Sequence, residues 1–279
     1  MSDRINALVQ RLDEIGPLAV AVSGGVDSIT LATVAHRFSS HPVEIFHAVS
    51  PAVPADATAR THRHADAQGW DLRVIDAEEF QDDDYLSNPV NRCLFCKTHL
   101  YSAIAGRTNA SLISGTNVDD MGDFRPGLSA AATFGVLHPY VDVGIDKDGV
   151  REIARELALT DIADLPASPC LASRVETGIR VTAAMLPVID QVEHELREML
   201  NPEVVRCRVR ATGISVELDQ TTLDGMSANL RKDVHNRVLS LWRGHSEAHE
   251  VELLPYRRGS AFLHSPTLPI TTTKESATR

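Results

Sequence analysis

Short apolar runs recur through the first 115 residues of the chain, and segments with helical spacing separate them. The runs LAVAV (18–22) and VEIFHAV (43–49) have the unbroken apolar character of strands that are buried on both faces of a parallel sheet. DLRVI (71–75) and SLISG (111–115) are weaker runs of the same kind. Helices are expected at 28–38, 55–69, about 96–107 and 148–159. This alternation predicts an α/β fold with a doubly wound, mainly parallel sheet.

The pattern changes after Pro166, where strands and helices no longer alternate. SPCLASRVETGIRV (168–181) predicts a loop, and EVVRCRVRATGISVELD (203–219) predicts a hairpin that turns at Thr212 and Gly213. Further helices are expected at 183–200 and near 226–241, and a last strand at 249–256. We therefore expect a larger domain over 1–170, a smaller α+β domain over 175–260 and a disordered polar tail over 266–279.

The charge balance of the chain limits the classes of partner that it can bind. Its 279 residues carry 27 Lys and Arg against 38 Asp and Glu, which gives a formal net charge of −11. A nucleic-acid binder usually presents a basic face, so a nucleic-acid partner is disfavoured. No apolar run is long enough to span a bilayer, and residues 1–16 have the pattern of an amphipathic helix rather than of a leader. We expect a cytoplasmic protein without a membrane partner.

The stretch SGGVDS follows the first apolar run and precedes a predicted helix. In that context Gly24 and Gly25 permit backbone conformations that direct N–H groups at an anion, and the helix N-terminus adds partial positive charge. Ser23 and Ser28 add hydroxyl groups, whereas the loop lacks the lysine of the G-x-x-x-x-G-K-[ST] spacing. Asp27 would be unfavourable in an anion site without a bridging cation, which predicts Mg²⁺. A simple glycine turn is the alternative.

SGGVDS resembles the signature of the PP-loop ATP pyrophosphatases. The resemblance implies that the larger domain binds ATP and that the loop holds pyrophosphate while ATP is cleaved between its α and β phosphates. It also implies that AMP is left on the substrate as an adenylate. The signature leaves the substrate open, because this superfamily includes GMP, NAD and tRNA lysidine synthetases as well as thiolases.

The four cysteines divide into three in polar surroundings and one in a predicted strand. Cys93 and Cys96 form a C-x-x-C beside Lys97, whose charge favours a thiolate. This pair can bind a metal or a cluster, and two reduced cysteines or half of a zinc site are the alternatives. Cys170 lies in the predicted loop, where an exposed thiol suits a reactive group or a ligand. Cys207 alternates with arginines in VVRCRVR, which predicts a small buried side chain.

A polar segment, GTNVDDMGDFRPG (115–127), follows the fourth predicted strand. It therefore lies at the carboxyl end of the sheet, where open α/β folds bind ligands. Its side chains are candidates for contact with Mg²⁺, adenylate or substrate: Asn117, Asp119, Asp120, Asp123 and Arg125. A hydrated acidic loop is the alternative.

SGGVDS, NRCLFCK, GTNVDDMGDFRPG and SPCLASR occur in this order, and together they resemble the LarE-type sulfur transferases of nickel-pincer nucleotide synthesis. The resemblance covers about residues 5–220. It implies that ATP and Mg²⁺ adenylylate a carboxylate of pyridinium-3,5-biscarboxylic acid mononucleotide, and that a thiocarboxylate replaces the adenylate. Family members with one cysteine, at the position of Cys170, give up their own sulfur. Members with three, at the positions of Cys93, Cys96 and Cys170, hold a [4Fe-4S] cluster whose open iron binds an extra sulfide.

The same resemblance bears on the second half of the chain. Arg206, Arg208 and Arg210 alternate along the predicted strand and face one way, as a row that suits the mononucleotide phosphate, and the family supports the first two most. Arg174 belongs to the expected cofactor-binding set, and Glu193 matches a family glutamate near the reaction centre. The expected catalytic residues are thus Cys170, Asp27, Ser28 and Glu193. A sulfide donor and a homo-oligomer are also implied, whereas VETGIRVT departs from the family by lacking an aromatic residue before its glycine.

Three alternatives remain open at the level of sequence. A tRNA thiolase of the same superfamily would also use cysteine-bound clusters, but the net charge of −11 disfavours it. An amide-forming ligase resembling NAD synthetase would not need the cysteines. A non-catalytic protein, which senses a nucleotide or is stabilised by bound zinc, would form no pyrophosphate.

Overall fold

The structure is a computed structural model that describes residues 1–122, 126–245 and 251–263. Asp123 and Arg125, the beginning of the last predicted strand and the tail predicted over 266–279 lie outside these residues. None of the helices in the described part of the chain is long and apolar enough to cross a membrane.

The strands of the described chain form two sheets. They are β1 (Leu18–Ala21), β2 (Val43–Ala48), β3 (Leu72–Ile75), β4 (Ser111–Ser114), β5 (Val205–Arg210), β6 (Gly213–Leu218) and β7 (Val251–Pro255). The larger sheet has the order β3-β2-β1-β4, and all of its neighbouring strands pair in parallel. Its strands coincide with the four apolar runs of the sequence. The predicted α/β fold with a mainly parallel sheet is confirmed.

The helices surround these sheets. They are α1 (Asp3–Ile15), α2 (Val26–Phe38), α3 (Ala55–Gln68), α4 (Asp83–Leu86), α5 (Arg92–Ala105), α6 (Gly127–Thr133), α7 (Pro139–Asp142), α8 (Lys147–Glu156), α9 (Met185–Leu200), α10 (Gln220–Gly225) and α11 (Ala228–Trp242). The cysteine helix α5 begins earlier than the predicted start near residue 96. Asn91, a residue type that favours the N-cap position, precedes the helix but makes no side-chain capping hydrogen bond. Both cysteines of the C-x-x-C therefore lie on the helix.

Strand β1 shows that the parallel sheet is covered on both faces. Leu18 and Val20 belong to a core that includes α1, α2 and α8, whereas Ala19 and Ala21 belong to a core that includes α5 and α6. Successive side chains of a strand point to opposite faces, so alternate residues of β1 enter opposite layers. This arrangement accounts for the unbroken apolar run in the sequence.

The second sheet has its own core. Strands β5 and β6 form the predicted antiparallel hairpin, and β7 joins β6 in parallel. Buried side chains from α9 and α11 pack with this sheet, and Cys207 among them is fully buried, as predicted. Ala52 and Phe80, from the first part of the chain, also pack against this core. Since Ala52 follows β2, this contact brings the second core to the carboxyl edge of the parallel sheet.

Candidate functional site

The SGGVDS loop joins β1 to α2 at the carboxyl edge of the parallel sheet. Gly24 has a φ of +82°, and a Cβ there would lie 2.5 Å from the carbonyl oxygen of Ala57, so a larger residue does not fit. Gly25 has a φ of −87°, so of this pair Gly24 alone uses left-handed backbone. The hydroxyl of Ser28 accepts the N–H of Ser23 at 3.1 Å and donates to the Gly25 carbonyl at 3.2 Å. These bonds fix the loop around the first turn of α2.

The carboxylate of Asp27 has two side-chain partners. Lys147 Nζ lies 2.6 Å from Asp27 Oδ2, and Asn117 Nδ2 lies 3.1 Å from Asp27 Oδ1. The hydroxyl of Tyr140 donates to the backbone carbonyl of Asp27 at 3.1 Å. Burial, reinforced by the charge of Asp27, raises the pKa of Tyr140, so this donor keeps its proton. The acidic group in the loop is therefore neutralised and fixed in orientation.

Lys147 is a candidate functional-site residue that was not identified from the sequence. It is the first residue of α8, which Asp146 caps by accepting the N–H of Gly149 at 2.8 Å. The carboxylate of Asp119 accepts the backbone N–H of Lys147 at 3.0 Å. An aspartate cap followed by lysine marks a helix start in the sequence but does not specify which loop the lysine meets. The fold thus supplies from α8 the cation that the loop itself lacks.

The loop after β4 packs directly on SGGVDS. A Cβ at Gly115 would lie 2.9 Å from the backbone carbonyl carbon of Asp27, so the two loops are in contact. Asn117 is 1% exposed and bridges the loops, because its Oδ1 also accepts the N–H of Asp119 at 3.0 Å. Asp120, which is half-buried, accepts the backbone N–H of Asn117 at 3.2 Å. The described residues of this segment thus lie at the carboxyl edge of the sheet, as expected, and also contact SGGVDS.

Two further polar side chains support SGGVDS from α3 and β2. Arg60 Nη1 donates to the carbonyl oxygen of Gly24 at 2.6 Å, and burial lowers the pKa of this guanidinium. His47 is fully buried, with Nδ1 2.9 Å from the Val22 carbonyl oxygen and Nε2 3.0 Å from Thr58 Oγ1. Burial lowers the pKa of His47, which favours the neutral ring. Neither residue was identified from the sequence, since neither lies in a recognisable motif.

The three cysteines expected as ligands come from two segments. Cys93 is exposed and Cys96 is half-buried in the first turns of α5, while Cys170 is half-buried just before a 3₁₀ turn at Leu171–Arg174. Cys170 and Cys93 both influence the pKa of Cys96, so Cys96 lies within electrostatic reach of the other two thiols. Among the described residues, no group of His, Cys, Asp and Glu side chains is already gathered to hold a metal ion. The thiols share one region without forming a closed ligand set.

Burial controls the protonation of the cysteines more strongly than the neighbouring lysine does. The pKa of Cys96 is raised to about 12, first by burial and then by Cys170, while Lys97 acts in the opposite direction. Lys97 thus favours the thiolate of Cys96, as expected, but burial outweighs this effect in the free protein. Lys97 Nζ lies 5.5 Å from the centroid of the Tyr101 ring, and Tyr101 is the chief cause of its raised pKa. Burial also raises the pKa of Cys207 to about 12.

Hydrogen bonds connect the two thiol-bearing segments. Arg92, the first residue of α5, donates from Nη1 to Asn88 Oδ1 and to the carbonyl oxygen of Ala172, the latter at 3.0 Å. Asn88 Nδ2 donates to the carbonyl oxygen of Glu176 at 2.8 Å. The carbonyl oxygen of Asn88 accepts the N–H of Gly178 at 2.9 Å. The cysteine helix and the Cys170 loop are therefore held as one unit.

The thiols and SGGVDS share the carboxyl edge of the parallel sheet. Leu171 donates its N–H to the carbonyl oxygen of Ala52 at 2.8 Å, and Ala52 follows the end of β2. Because α5 leads into β4, its first turn also lies at this edge. A Cβ at Gly127 would lie 2.9 Å from Cγ of Lys97, so the segment after the polar loop packs on the cysteine helix.

Arg174 and Glu193 form a buried ion pair beside Cys170. Nε and Nη2 of Arg174 each lie 2.9 Å from a different oxygen of Glu193, and the side chains are 2% and 0% exposed. Glu193 also accepts the backbone N–H of Cys207 at 3.0 Å. Arg174 Nη1 donates to the carbonyl oxygen of Pro169, the residue before the thiol, at 2.6 Å. Both residues are thus engaged in holding the loop that carries Cys170.

The arginine row on β5 is partly neutralised by carboxylates. Glu217 accepts from Arg208 Nε at 3.0 Å and from Arg210 Nη2 at 2.8 Å. Arg206 lies with its guanidinium carbon 5.9 Å from the centroid of the Tyr256 ring. In the part of the chain that the structure describes, no carboxylate lies within ion-pair distance of Arg206. Burial lowers its pKa, which is the effect of a desolvated cation without a close anion.

No family model matches the chain. The uncharacterized protein slr1717 of Synechocystis sp. is 32% identical over 222 residues, which is 78% of this chain and 82% of the relative. The uncharacterized protein MJ0830 of Methanocaldococcus jannaschii is 28% identical over 184 residues, or 64% and 69% of the two chains. The pyridinium-3,5-bisthiocarboxylic acid mononucleotide synthase of Lactiplantibacillus plantarum is 25% identical over 221 residues, or 77% and 79% of the two chains.

Proposed function

The chain belongs to the LarE-type family, and on this premise we propose that it is an ATP-dependent sulfur transferase. It adenylylates a carboxylate of pyridinium-3,5-biscarboxylic acid mononucleotide with release of pyrophosphate. Sulfur then displaces AMP, which leaves a thiocarboxylate. The observation that carries this proposal is that three thiols from two segments lie at the same edge of the sheet as SGGVDS.

Activation of the substrate is assigned to SGGVDS and the side chains around it. The N–H groups and partial positive charge at the start of α2 favour the departing pyrophosphate. The oxygens of Asp27 fit Mg²⁺, which when bound neutralises phosphate charge. Lys147 already neutralises Asp27 in the free protein, and a cation on that carboxylate frees the ammonium group to bind phosphate oxygen.

Sulfur delivery is assigned to the three thiols. Their number and chemistry fit a [4Fe-4S] cluster, which Cys93, Cys96 and Cys170 would hold and which would supply sulfide to the adenylate when bound. Arg92 and Arg174 fix the backbone on either side of the Cys170 thiol through their bonds to Ala172 and Pro169. Direct loss of sulfur from Cys170 is the alternative source.

The mononucleotide phosphate is assigned to Arg206. Its charge is not paired with a carboxylate among the described residues, whereas Arg208 and Arg210 share Glu217. A phosphate gains most from a cation that is partly desolvated and not already paired. Glu193 acts as a positioning residue, because its contacts reach the thiol only through the loop.

The test uses anaerobically purified full-length protein, reconstituted with iron and sulfide, and supplied with the mononucleotide and MgATP. We expect about four iron atoms per chain, pyrophosphate release and a thiocarboxylate product. Cys93→Ala and Cys170→Ala should lose iron and product, whereas Cys207→Ala, in the second core, should retain both. Intact mass after one turnover separates the sulfur sources, because sacrifice of Cys170 removes the mass of H₂S. Zinc as the sole bound metal, or full activity in Cys93→Ala, would rule out the cluster, and absence of pyrophosphate would rule out the reaction.

A further inference from the structure

Two buried hydrogen-bond donors near the thiol-bearing segments have no partner among the described residues. Tyr85 is 1% exposed, and its hydroxyl makes no hydrogen bond. Arg92 is 3% exposed, and its Nη2 makes none, although Nη1 serves two acceptors. Buried polar groups in native proteins are nearly always satisfied, so each exception calls for a physical reason.

Tyr85 packs on Phe80, and Phe80 packs against the same core as Cys170. Burial raises the pKa of the Tyr85 hydroxyl, and Cys170 and Cys96 raise it further, whereas Arg92 acts in the opposite direction. All three groups are thus within electrostatic reach of this one oxygen. Since the hydroxyl keeps its proton at neutral pH, it offers a hydrogen bond to an anion and does not act as a base.

The charges around these donors favour an anion. Lys97 is the next residue after Cys96, and its ammonium group feels the charges of the neighbouring thiols. Glu79, 5% exposed, is the carboxylate that acts on Tyr85 and Cys96. The two cations Arg92 and Lys97 thus act in this region against one carboxylate, that of Glu79.

Packing does not explain why residue 85 is tyrosine rather than phenylalanine. The ring meets Phe80 edge-on, with centroids 5.3 Å apart, and a phenylalanine would make the same contact. The hydroxyl contributes no hydrogen bond to the free protein, so its desolvation is uncompensated. This is the pattern of a group arranged for a bound ligand.

We propose that Tyr85 Oη and Arg92 Nη2 bind hydrosulfide, a small sulfur anion, beside Cys96 and Cys170. This inference rests on the proposed sulfur transfer and names where the sulfur is held before it is transferred. Both donors are buried, which favours a small anion over the bulky mononucleotide as their partner. No bond forms or breaks in this binding step, because both residues donate hydrogen bonds only.

The site is tested by titrating the full-length, metal-free protein anaerobically with sodium hydrosulfide. The chain has 4 tyrosines, so ¹³Cζ-labelled tyrosine gives a simple NMR spectrum in which Tyr85→Phe identifies the Tyr85 signal. We expect that signal to shift saturably with hydrosulfide and not with sodium chloride, while the Tyr256 signal stays in place. Arg92→Lys, which keeps the charge but has one nitrogen in place of the two Nη groups, should weaken the binding about tenfold. No saturable shift, or an equal shift with chloride, would overturn the proposal.

Two measurements on Tyr85→Phe separate a binding role from a structural one. Its melting temperature should equal or exceed that of the parent, because an unpaired buried hydroxyl is removed. In turnover, it should release pyrophosphate at the parent rate but form thiocarboxylate about tenfold more slowly. A lowered melting temperature or an unchanged thiocarboxylate rate would count against the site. The hydrosulfide titration contains no ATP or mononucleotide. It therefore tests hydrosulfide binding even if the protein does not catalyse the proposed reaction.

Discussion

Lys147 Nζ lies 2.6 Å from Asp27 Oδ2, although 120 positions separate the two residues in the chain. We expect Lys147→Met to lower kcat/KM for MgATP-dependent pyrophosphate release about 100-fold, because both the carboxylate and the phosphates lose a cation. Lys147→Arg should retain more of the rate. Lys232→Met, on the exposed face of α11, is the matched control. Equal rates in Lys147→Met and Lys232→Met would contradict the assignment.

Arg206 and Arg210 lie on the same strand, but we expect loss of Arg206 to affect substrate binding and loss of Arg210 to affect stability. Arg206→Ala is expected to raise KM for the mononucleotide about tenfold or more, with little change in melting temperature, because Arg206 has no carboxylate to leave unpaired. Arg210→Ala should instead lower the melting temperature, since Glu217 and Glu176 lose a cation. Steady-state kinetics and thermal unfolding on both variants check this, and similar changes in the two variants would refute it.

The pair of Arg174 and Glu193 should dominate the stability of the Cys170 loop. Glu193→Gln removes the charge that compensates buried Arg174, and we expect a loss of about 3–5 kcal/mol in the free energy of unfolding. Glu195→Gln is the matched control, because its ion pair with Arg237 lies near the surface and should contribute less than about 1 kcal/mol. Urea denaturation measures both, and a small effect at Glu193 would show that the pair is not structural.

His47 should make the protein less stable in mild acid. Burial lowers the pKa of the folded-state imidazole, so the unfolded chain binds a proton first as pH falls through about 6.5. The free energy of unfolding therefore decreases from about pH 6.5 downward. His47→Gln should flatten this part of the curve, whereas His194→Gln, on the exposed side of α9, should not. Urea denaturation at a series of pH values gives the comparison.

Elements that depend on local pattern could be predicted from the sequence. Strand β1 is buried on both faces, so its apolar run is unbroken, and the hairpin turn before Gly213 follows from local residue types. Cys207 alternates with charged side chains on a half-buried strand, which is sufficient to place it inside. These features need no knowledge of which segments meet.

Features that depend on distant segments could not be predicted. The pairing of Asp27 with Lys147 requires two loops to meet at one sheet edge, which no spacing encodes. The pKa of Cys96 follows from burial and from Cys170, and these outweigh the adjacent Lys97 that is visible in the sequence. Likewise, the unpaired hydroxyl of Tyr85 becomes apparent only when its surroundings are known.

The bond between Arg92 and Ala172 spans 80 positions of the chain and has a consequence for biogenesis. At about 5–20 residues per second, a ribosome takes about 4–16 s to add the segment between them. For that time the nascent chain carries the thiols of Cys93 and Cys96 without Cys170 and without the second sheet. If the three thiols hold the proposed cluster, metal that reaches the chain in this interval would meet an incomplete ligand set, so we expect loading with iron and sulfide only after Cys170 has been synthesised.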